Sequence, residues 1–582
     1  MARKLTPQAL MSAMTLTHEG AAAYDLRADQ PLLHLCFTFG SALFTDGYYT
    51  REAAQVRAFA EALGRAHAVD ARFPWQYAAW MRDPVRGKGN RIQGSLAPAL
   101  LDGLLRETPF TEDYVATCLG HRPDDVAAFV LHLQQLRLGR PTAAARRGMA
   151  RALAGFDAYQ LLKYARPKDD VRLCDAIAMV RPELEALGEA GALALRVGRY
   201  LHAPTRERSA LAESVPLLAA RRQLFTAPTT FAAEAAFVDT VRAARVTWEQ
   251  VLGRYGVSLK GKDGAALAKA RKRNAAVWKA LLVDEALLPD MALLRNLRNL
   301  HDAGVSRGGL IARVSRRRFD GVWPHQVFAG AKAVPPLRTV FEAAFRRTVD
   351  RLPPGRHLGL ADASGSMAVR VGGPMSSMTS MDVALCLTAL MSETSGLGAS
   401  FSDDQFKAWT GGDYLRIAQR STGEGPLAFA QNPALRTGMG GTQVHGAVLE
   451  LVRWLTTHRS VKPPECLWFF SDMQFHPAKG SRSLPRWVAD AGLERYCDPT
   501  RPPLEQALQV YRAVVGPVDV VLWNLAAYGQ APVPLSTPGV LMVSGFDANT
   551  LSTVGRWRAG ATASTAPLAA NQAHVLDTVR SF

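Results

Sequence analysis

The sequence predicts a multidomain protein with an all-α half over residues 1–350 and an α/β half of Rossmann-like type over residues 351–582. Three observations predict it. Apolar residues recur at three- and four-residue spacing through almost the whole first half. Arg351-Leu352-Pro353-Pro354-Gly355 then punctuates the chain, because consecutive prolines followed by glycine cannot continue a helix. Beyond that point short apolar runs alternate with amphipathic segments, the pattern of a doubly wound parallel sheet. A chain of 582 residues is also too long for one core.

In the first half, helices are expected over Glu52 to Ala66, Pro98 to Arg106, Asp124 to Leu138, Glu183 to Gly198, Ala232 to Leu252, Ala265 to Leu282 and Pro289 to His301. Similar lengths and short Pro- or Gly-containing connections suggest stacked helix pairs, an α-solenoid of HEAT-like helical repeats. Pro289 to His301 shows the pattern well: Asp290 suits an N-cap, Leu293, Leu294, Leu297 and Leu300 form an apolar stripe, and Gly304 suits the C-terminal cap.

Charge is distributed unevenly. The formal net charge is +18, of which residues 1–350 carry +16 and residues 351–582 only +2. Such a surplus fits a polyanionic partner of the helical half. Its basic residues fall in clusters: Arg82, Arg86, Lys88 and Arg91 in a glycine-containing loop; Arg146, Arg147 and Arg151 about one helical turn apart; Lys269, Arg271, Lys272 and Arg273; and Arg313, Arg316, Arg317 and Arg318 before Trp323-Pro324-His325. Guanidinium groups hold phosphates bidentately and stack on bases. A solvated basic surface explains any one cluster equally well; four of them favour nucleic acid.

In the second half, strands are expected at His357 to Ala361, Leu467 to Phe470, Val518 to Trp523 and Val540 to Val543. Helices are expected at Ser380 to Thr394, Val444 to Leu455 and Leu504 to Val515. The first strand ends in Asp362-Ala363-Ser364-Gly365-Ser366, which aims small oxygen groups at one point. Gly440-Gly441-Thr442 opens a helix, and the second strand ends on Asp472. Strand ends of an open parallel sheet gather along one edge. Asp362, Ser364, Ser366, Thr442 and Asp472 therefore converge into a set of hard oxygen donors suited to a divalent cation, Mg2+ first among them.

That order of residues resembles the metal-ion-dependent adhesion site (MIDAS) of von Willebrand factor A domains. A second resemblance runs along the chain. Val277-Trp278-Lys279-Ala280-Leu281-Leu282 followed by Ala292-Leu293-Leu294-Arg295-Asn296-Leu297, the Leu35-Cys36-Phe37-Thr38-Phe39-Gly40 to Tyr48-Tyr49 entry, and Val543-Ser544-Gly545-Phe546-Asp547 are similar to the TROVE family of Ro autoantigens and their bacterial orthologues. The family resemblance implies a ring of helical repeats followed by a von Willebrand factor A domain. It implies binding of Y-type small RNA on a basic outer face, entry of single-stranded 3′ ends of misfolded RNA into a central cavity, and in bacteria an exoribonuclease partner. By position it adds Lys163 and Arg172 to Arg146, Arg147 and Arg151 as RNA contacts. The sequence departs from the family at Val322-Trp323-Pro324, where many relatives carry Ile-His-Pro.

The expected function is thus non-catalytic RNA binding in noncoding RNA quality control. The alternative is a metal-dependent protein-interaction scaffold. No P-loop, HExxH or GxSxG is present, so no enzyme is expected. Six scattered cysteines without a CxxC pair fit a reducing cytoplasm, and neither a membrane nor DNA is an expected partner.

Overall fold

The computed structural model describes residues 13–42, 44, 51–106, 108–166, 168–227, 236–282, 287–317, 319, 322–346, 352–371, 378–402, 414–436, 440–477, 486–494, 502–534, 537–547, 549–561 and 570–582. These form two compact units. One joins Met1–Tyr77, Trp323–Ala329 and Glu342–Phe582; the other comprises Ala78–Val322 and Gly330–Phe341. The division is therefore not a single cut at Leu352–Gly355, because β-strands from residue 13 onward belong with the sheet unit.

The sheet unit contains β1 (Ala13–Leu16), β2 (Ala22–Asp25), β3 (His357–Asp362), β4 (Leu397–Phe401), β5 (Leu415–Gln419), β6 (Cys466–Ser471), β7 (Asp519–Asn524), β8 (Gln530–Ala531) and β9 (Val540–Ser544). Six of them make a sheet in the order β5-β4-β3-β6-β7-β9, and β1-β2-β8 make a separate three-stranded one. All pairings in the larger sheet are parallel except β4 with β5. The expectation of a wholly parallel sheet is corrected here, because the sheet is mixed at its edge. Strands β4 and β5 are not among the expected ones, the Leu-Gly-Ala-Ser-Phe run of β4 being short and glycine-interrupted.

Strands β3 and β6 are buried at every residue, which explains their unbroken apolar runs. Helices Val444–Thr457 and Pro503–Val514 pack over Leu358, Leu360, Leu467, Phe469, Val520 and Leu522. On the opposite face helix Ser380–Ser395 lies so close that a Cβ on Gly359 would stand 2.6 Å from the Thr388 Cα. The segment 353–357 is anchored through His357, whose Nε2 donates to the Pro353 carbonyl at 2.7 Å while Nδ1 accepts from the Trp468 indole at 3.1 Å. Burial lowers the pKa of His357, consistent with that neutral tautomer.

The N-terminal residues are part of this unit. β1 and β2 form an antiparallel hairpin and β2 pairs with β8. Helix Pro31–Phe39 packs on β9, with the Ser544 hydroxyl donating to the Cys36 carbonyl at 2.7 Å. The first half is thus not wholly helical, as apolar periodicity alone suggests; two four-residue strands are too short to leave an alternation signal.

The second unit is built of stacked helices. Helix Arg91–Leu105 packs on Pro123–Gln135, and Thr111–Leu119 packs on Ala143–Ala154, so alternate helices are neighbours. Two expected long helices are each broken. Arg181–Ala186 and Glu189–His202 are separated at Gly188, where φ is +59°. Ala236–Ala244 and Trp248–Tyr255 are separated at Arg245, which adopts φ +41°.

A buried ion pair holds this stack. The Arg82 Nε donates to Asp125 Oδ2 at 2.8 Å, and Arg91 reaches Asp125 Oδ1 at 3.2 Å. Arg82 and Lys88 are therefore interior groups, Lys88 lying 5.0 Å over the Trp80 ring, and the loop cluster does not present four cations to solvent. Asp125→Ala should cost about 3–5 kcal/mol, since it strands a buried guanidinium. Denaturant unfolding of the intact chain measures this, and a loss below about 1 kcal/mol would refute the pair's role.

Candidate functional site

At the C-terminal end of β3 and β6, parallel neighbours in register at Ala361 and Phe470, Asp362 lies beside Ser471. The Ser471 hydroxyl donates to Asp362 Oδ2 at 2.5 Å, and the Ser364 amide donates to Asp362 Oδ1 at 2.9 Å. The Ser364 and Ser366 hydroxyls are 3.2 Å apart. This turn is tied to the next loop by the Gly365 amide, which donates to the Gly440 carbonyl at 3.2 Å. The Thr442 carbonyl in turn accepts from the His476 amide at 3.0 Å, linking that loop to the segment after Asp472. Gly441 is required here, because a Cβ would stand 2.2 Å from the His476 ring.

Asp362, Ser364, Ser366, Thr442 and Asp472 are thus all buried on three stitched loops at one sheet edge. Burial pushes the Asp362 carboxyl well above the usual aspartate range, and the neighbouring charge of Asp472 adds to the rise. Burial raises Asp472 as well, partly offset by the Ser366 hydroxyl and the Gln474 amide, while Glu19 raises it further. Asp472 Oδ2 is buried with no hydrogen-bond partner among the described residues. Two close buried carboxylates, one oxygen orphaned and three hydroxyl side chains at hand are a donor set that fits a divalent cation.

Three contributors escape sequence reasoning. Ser471 precedes Asp472 but serves Asp362 across the strand pair. Glu19 and His476, 3.0 Å apart, come from the β1–β2 turn and from the loop beyond β6. None carries a local motif. A separate group, Cys174, Asp175 and His202, brings ligand atoms within 4.8 Å of one another, but Asp175 is already forked by Arg172 at 2.7 and 2.9 Å.

The expected RNA-binding residues divide sharply. Arg146 bonds Glu183 at 2.7 Å, Arg147 bonds Glu112 at 2.7 Å, and Arg151 bonds Asp113 at 2.7 Å. The two guanidinium groups, Arg147 first, hold the Glu112 carboxyl below its ordinary range. Arg172 pairs with Asp175, and the Lys163 ammonium lies 5.4 and 5.3 Å over the Tyr159 and Tyr164 rings. Arg273 donates to the Tyr255 carbonyl at 2.8 Å. Arg317 is corrected: it is only 3% exposed, bonded to Asp290 and to the Leu288 carbonyl, and holds the start of helix Asp290–Asp302 instead of facing solvent. Arg318 lies outside the described residues.

A different set is open. Lys269, Arg271, Lys272 and Lys279 on helix Gly264–Leu282, Arg295 and Arg298 on Asp290–Asp302, and Arg316 after helix Arg307–Val314 are exposed. Helix Gly264–Leu282 contains no Asp or Glu, so its cations have no carboxylate within the helix to pair with. The same stretch, residues 265–318, matches the TROVE domain.

The TROVE resemblance stands. The TROVE-like chain is similar in structure to the Ro (RSR) protein of Deinococcus radiodurans, with a TM-score of 0.52 and 18% identity over 90% of this chain and 99% of that one. At that identity the likeness is one of fold. A comparison with curated proteins finds no match.

Proposed function

We propose that this TROVE-like chain is a non-catalytic RNA-binding protein of noncoding RNA metabolism, with the helical unit as its RNA-binding part. The observation that carries the reading is the set of exposed cations on Gly264–Leu282, Asp290–Asp302 and the residue Arg316, inside the segment that matches the TROVE domain. Lysines and arginines there neutralise phosphates and release condensed counterions, which makes affinity salt-dependent and nearly sequence-independent. Helix Gly264–Leu282 alone brings four exposed cations, Lys269, Arg271, Lys272 and Lys279. The paired arginines 146, 147 and 151 are secondary, because a phosphate has to displace Glu112, Asp113 or Glu183 first.

Within this reading the RNA is of Y type or a misfolded transcript offering a single-stranded 3′ end, and an exoribonuclease is the partner that processes it. Titration of a labelled structured RNA with an unpaired 3′ end against increasing KCl tests the first step. About six phosphate contacts predict a log–log slope near −4 to −5. A slope near zero would defeat the proposal.

A second reading has its own support in the orphaned Asp472 Oδ2. Asp362, Ser364, Ser366, Thr442 and Asp472 would hold Mg2+, directly or through water, and the cation supplies an open coordination position for a carboxylate of a protein partner. In this reading the cation serves docking and loop stability. Chelation then abolishes capture of an acidic partner while leaving RNA affinity unchanged.

A further inference from the structure

The helical unit holds a groove of about 590 Å3 between Trp248–Tyr255, the loop after it, Gly264–Leu282 and Asp290–Asp302. We propose that this groove is a nucleobase site that seats one unpaired guanine of a single-stranded RNA, a claim that rests on the RNA-binding reading above.

One wall is aromatic. The half-buried Trp248 indole stacks on the buried Trp278, with centroids 6.0 Å apart and planes 25° from parallel, and both line the groove. Indole faces accept any base by stacking, so this wall gives affinity without choice. The wall is also fixed in advance. The Asn274 amide spends both of its ends on the Val257 backbone, at 2.8 Å each, and the Tyr255 hydroxyl donates to the Leu224 carbonyl at 2.7 Å.

The opposite rim chooses. Asn299 directs its Nδ2 to the Asn296 Oδ1 at 2.9 Å, and Asn296 is itself fixed by the Ala292 carbonyl. One Asn299 N–H is therefore engaged, and the second N–H and the Oδ1 are left for a ligand. Asp302, one turn on along the same helix face, adds an exposed carboxylate whose Oδ1 lies 3.5 Å from the His301 Nδ1 and which has no arginine partner among the described residues. The rim thus offers a carboxylate as acceptor beside one remaining amide N–H, which suits an edge with two adjacent donors next to a carbonyl oxygen. Among the bases guanine presents the matching edge, with N1–H and N2–H donors side by side, whereas uracil brings one donor and adenine and cytosine one amino group each. Arg295 and Arg298, each four residues before a rim residue, lie on the same helix face, where the phosphates flanking the seated base would run.

The test uses the intact chain and two fluorescein-labelled single strands, A8 and the same strand with one central guanine, in 100 mM KCl. Wild-type protein should bind the guanine strand about tenfold more tightly. Asp302→Asn, an exposed and isosteric change, should abolish that preference, so that the two strands bind alike. Trp248→Leu, checked by its melting profile, should weaken both strands about tenfold. Equal affinity of the wild type for the two strands, or an intact preference in Asp302→Asn, overturns the guanine site while the salt-dependent RNA binding stands. Failure to bind either strand even at 50 mM KCl overturns the site and the RNA-binding reading together.

Discussion

Millimolar Mg2+ is expected to raise the melting temperature of the sheet unit by about 5 °C at pH 7.5, to raise it far less at pH 5, and to leave Asp472→Asn unaffected. The reasoning starts from two carboxylates buried at one sheet edge, both with folded pKa values raised by burial and then by neighbouring negative charge. A raised pKa in an acid means that the folded state keeps a proton the unfolded chain has already released. Without a cation, this pair's contribution is then full below the ordinary aspartate pKa of about 4 and is lost as pH rises toward neutrality. A divalent ion replaces the proton, and it binds better as the pair deprotonates. At a hundredfold excess over Kd, binding contributes about 2.7 kcal/mol, and for a unit of this size each kcal/mol moves the melting point by roughly 2 °C. Asp472→Asn keeps the shape, removes one charge and should stabilise the metal-free protein at pH 7.5. Calorimetry in EDTA, Mg2+ and Ca2+ at both pH values reads all of this. Melting points that ignore both metal and pH would remove the cation site from the account.

Reversing Lys269, Arg271 and Lys272 together to Glu should cut RNA affinity at 150 mM salt by at least a hundredfold and flatten the salt slope by two to three units. All three are exposed, and their helix contains no carboxylate, so reversal breaks no intrahelical pair. Reversing Arg146, Arg147 and Arg151 is a poorer probe. It places each new carboxylate against Glu183, Glu112 or Asp113 and destabilises the stack that those pairs join. Competition titration of one structured RNA against both triple variants, with melting curves for each, separates the two effects. Undiminished affinity in the Lys269, Arg271 and Lys272 variant would remove this helix as the phosphate-binding face.

The same contrast shows what a sequence can disclose. That Asp362, Ser364, Ser366 and Asp472 share one sheet edge was legible because they follow apolar strands whose ends the topology gathers, and Thr442 was legible from the glycine pair ahead of a helix. Lys269, Arg271 and Lys272 were legible as a basic run, whereas Arg273 of the same run caps the Tyr255 carbonyl. The pairings of Arg146 and Arg147 were not, since their carboxylates stand 37 and 35 residues away and only packing of neighbouring helices brings them together. Arg317 followed the pattern of its basic run yet serves as an interior anchor. Long-range strand pairs were hidden for the same reason: β2 meets β8 across most of the chain, and neither strand is long enough to show a period.

That last pairing sets a timetable for biosynthesis. The Thr17 hydroxyl donates to the carbonyl of Phe475, 458 positions downstream, and Tyr24 lies opposite Ala531. At roughly 5–20 residues added per second, the hairpin leaves the ribosome about 25–100 s before β8 exists. Its bonding edge is bare throughout that interval. The stacked helices can mature during translation, but the sheet unit can close only when nearly the whole polypeptide has been made.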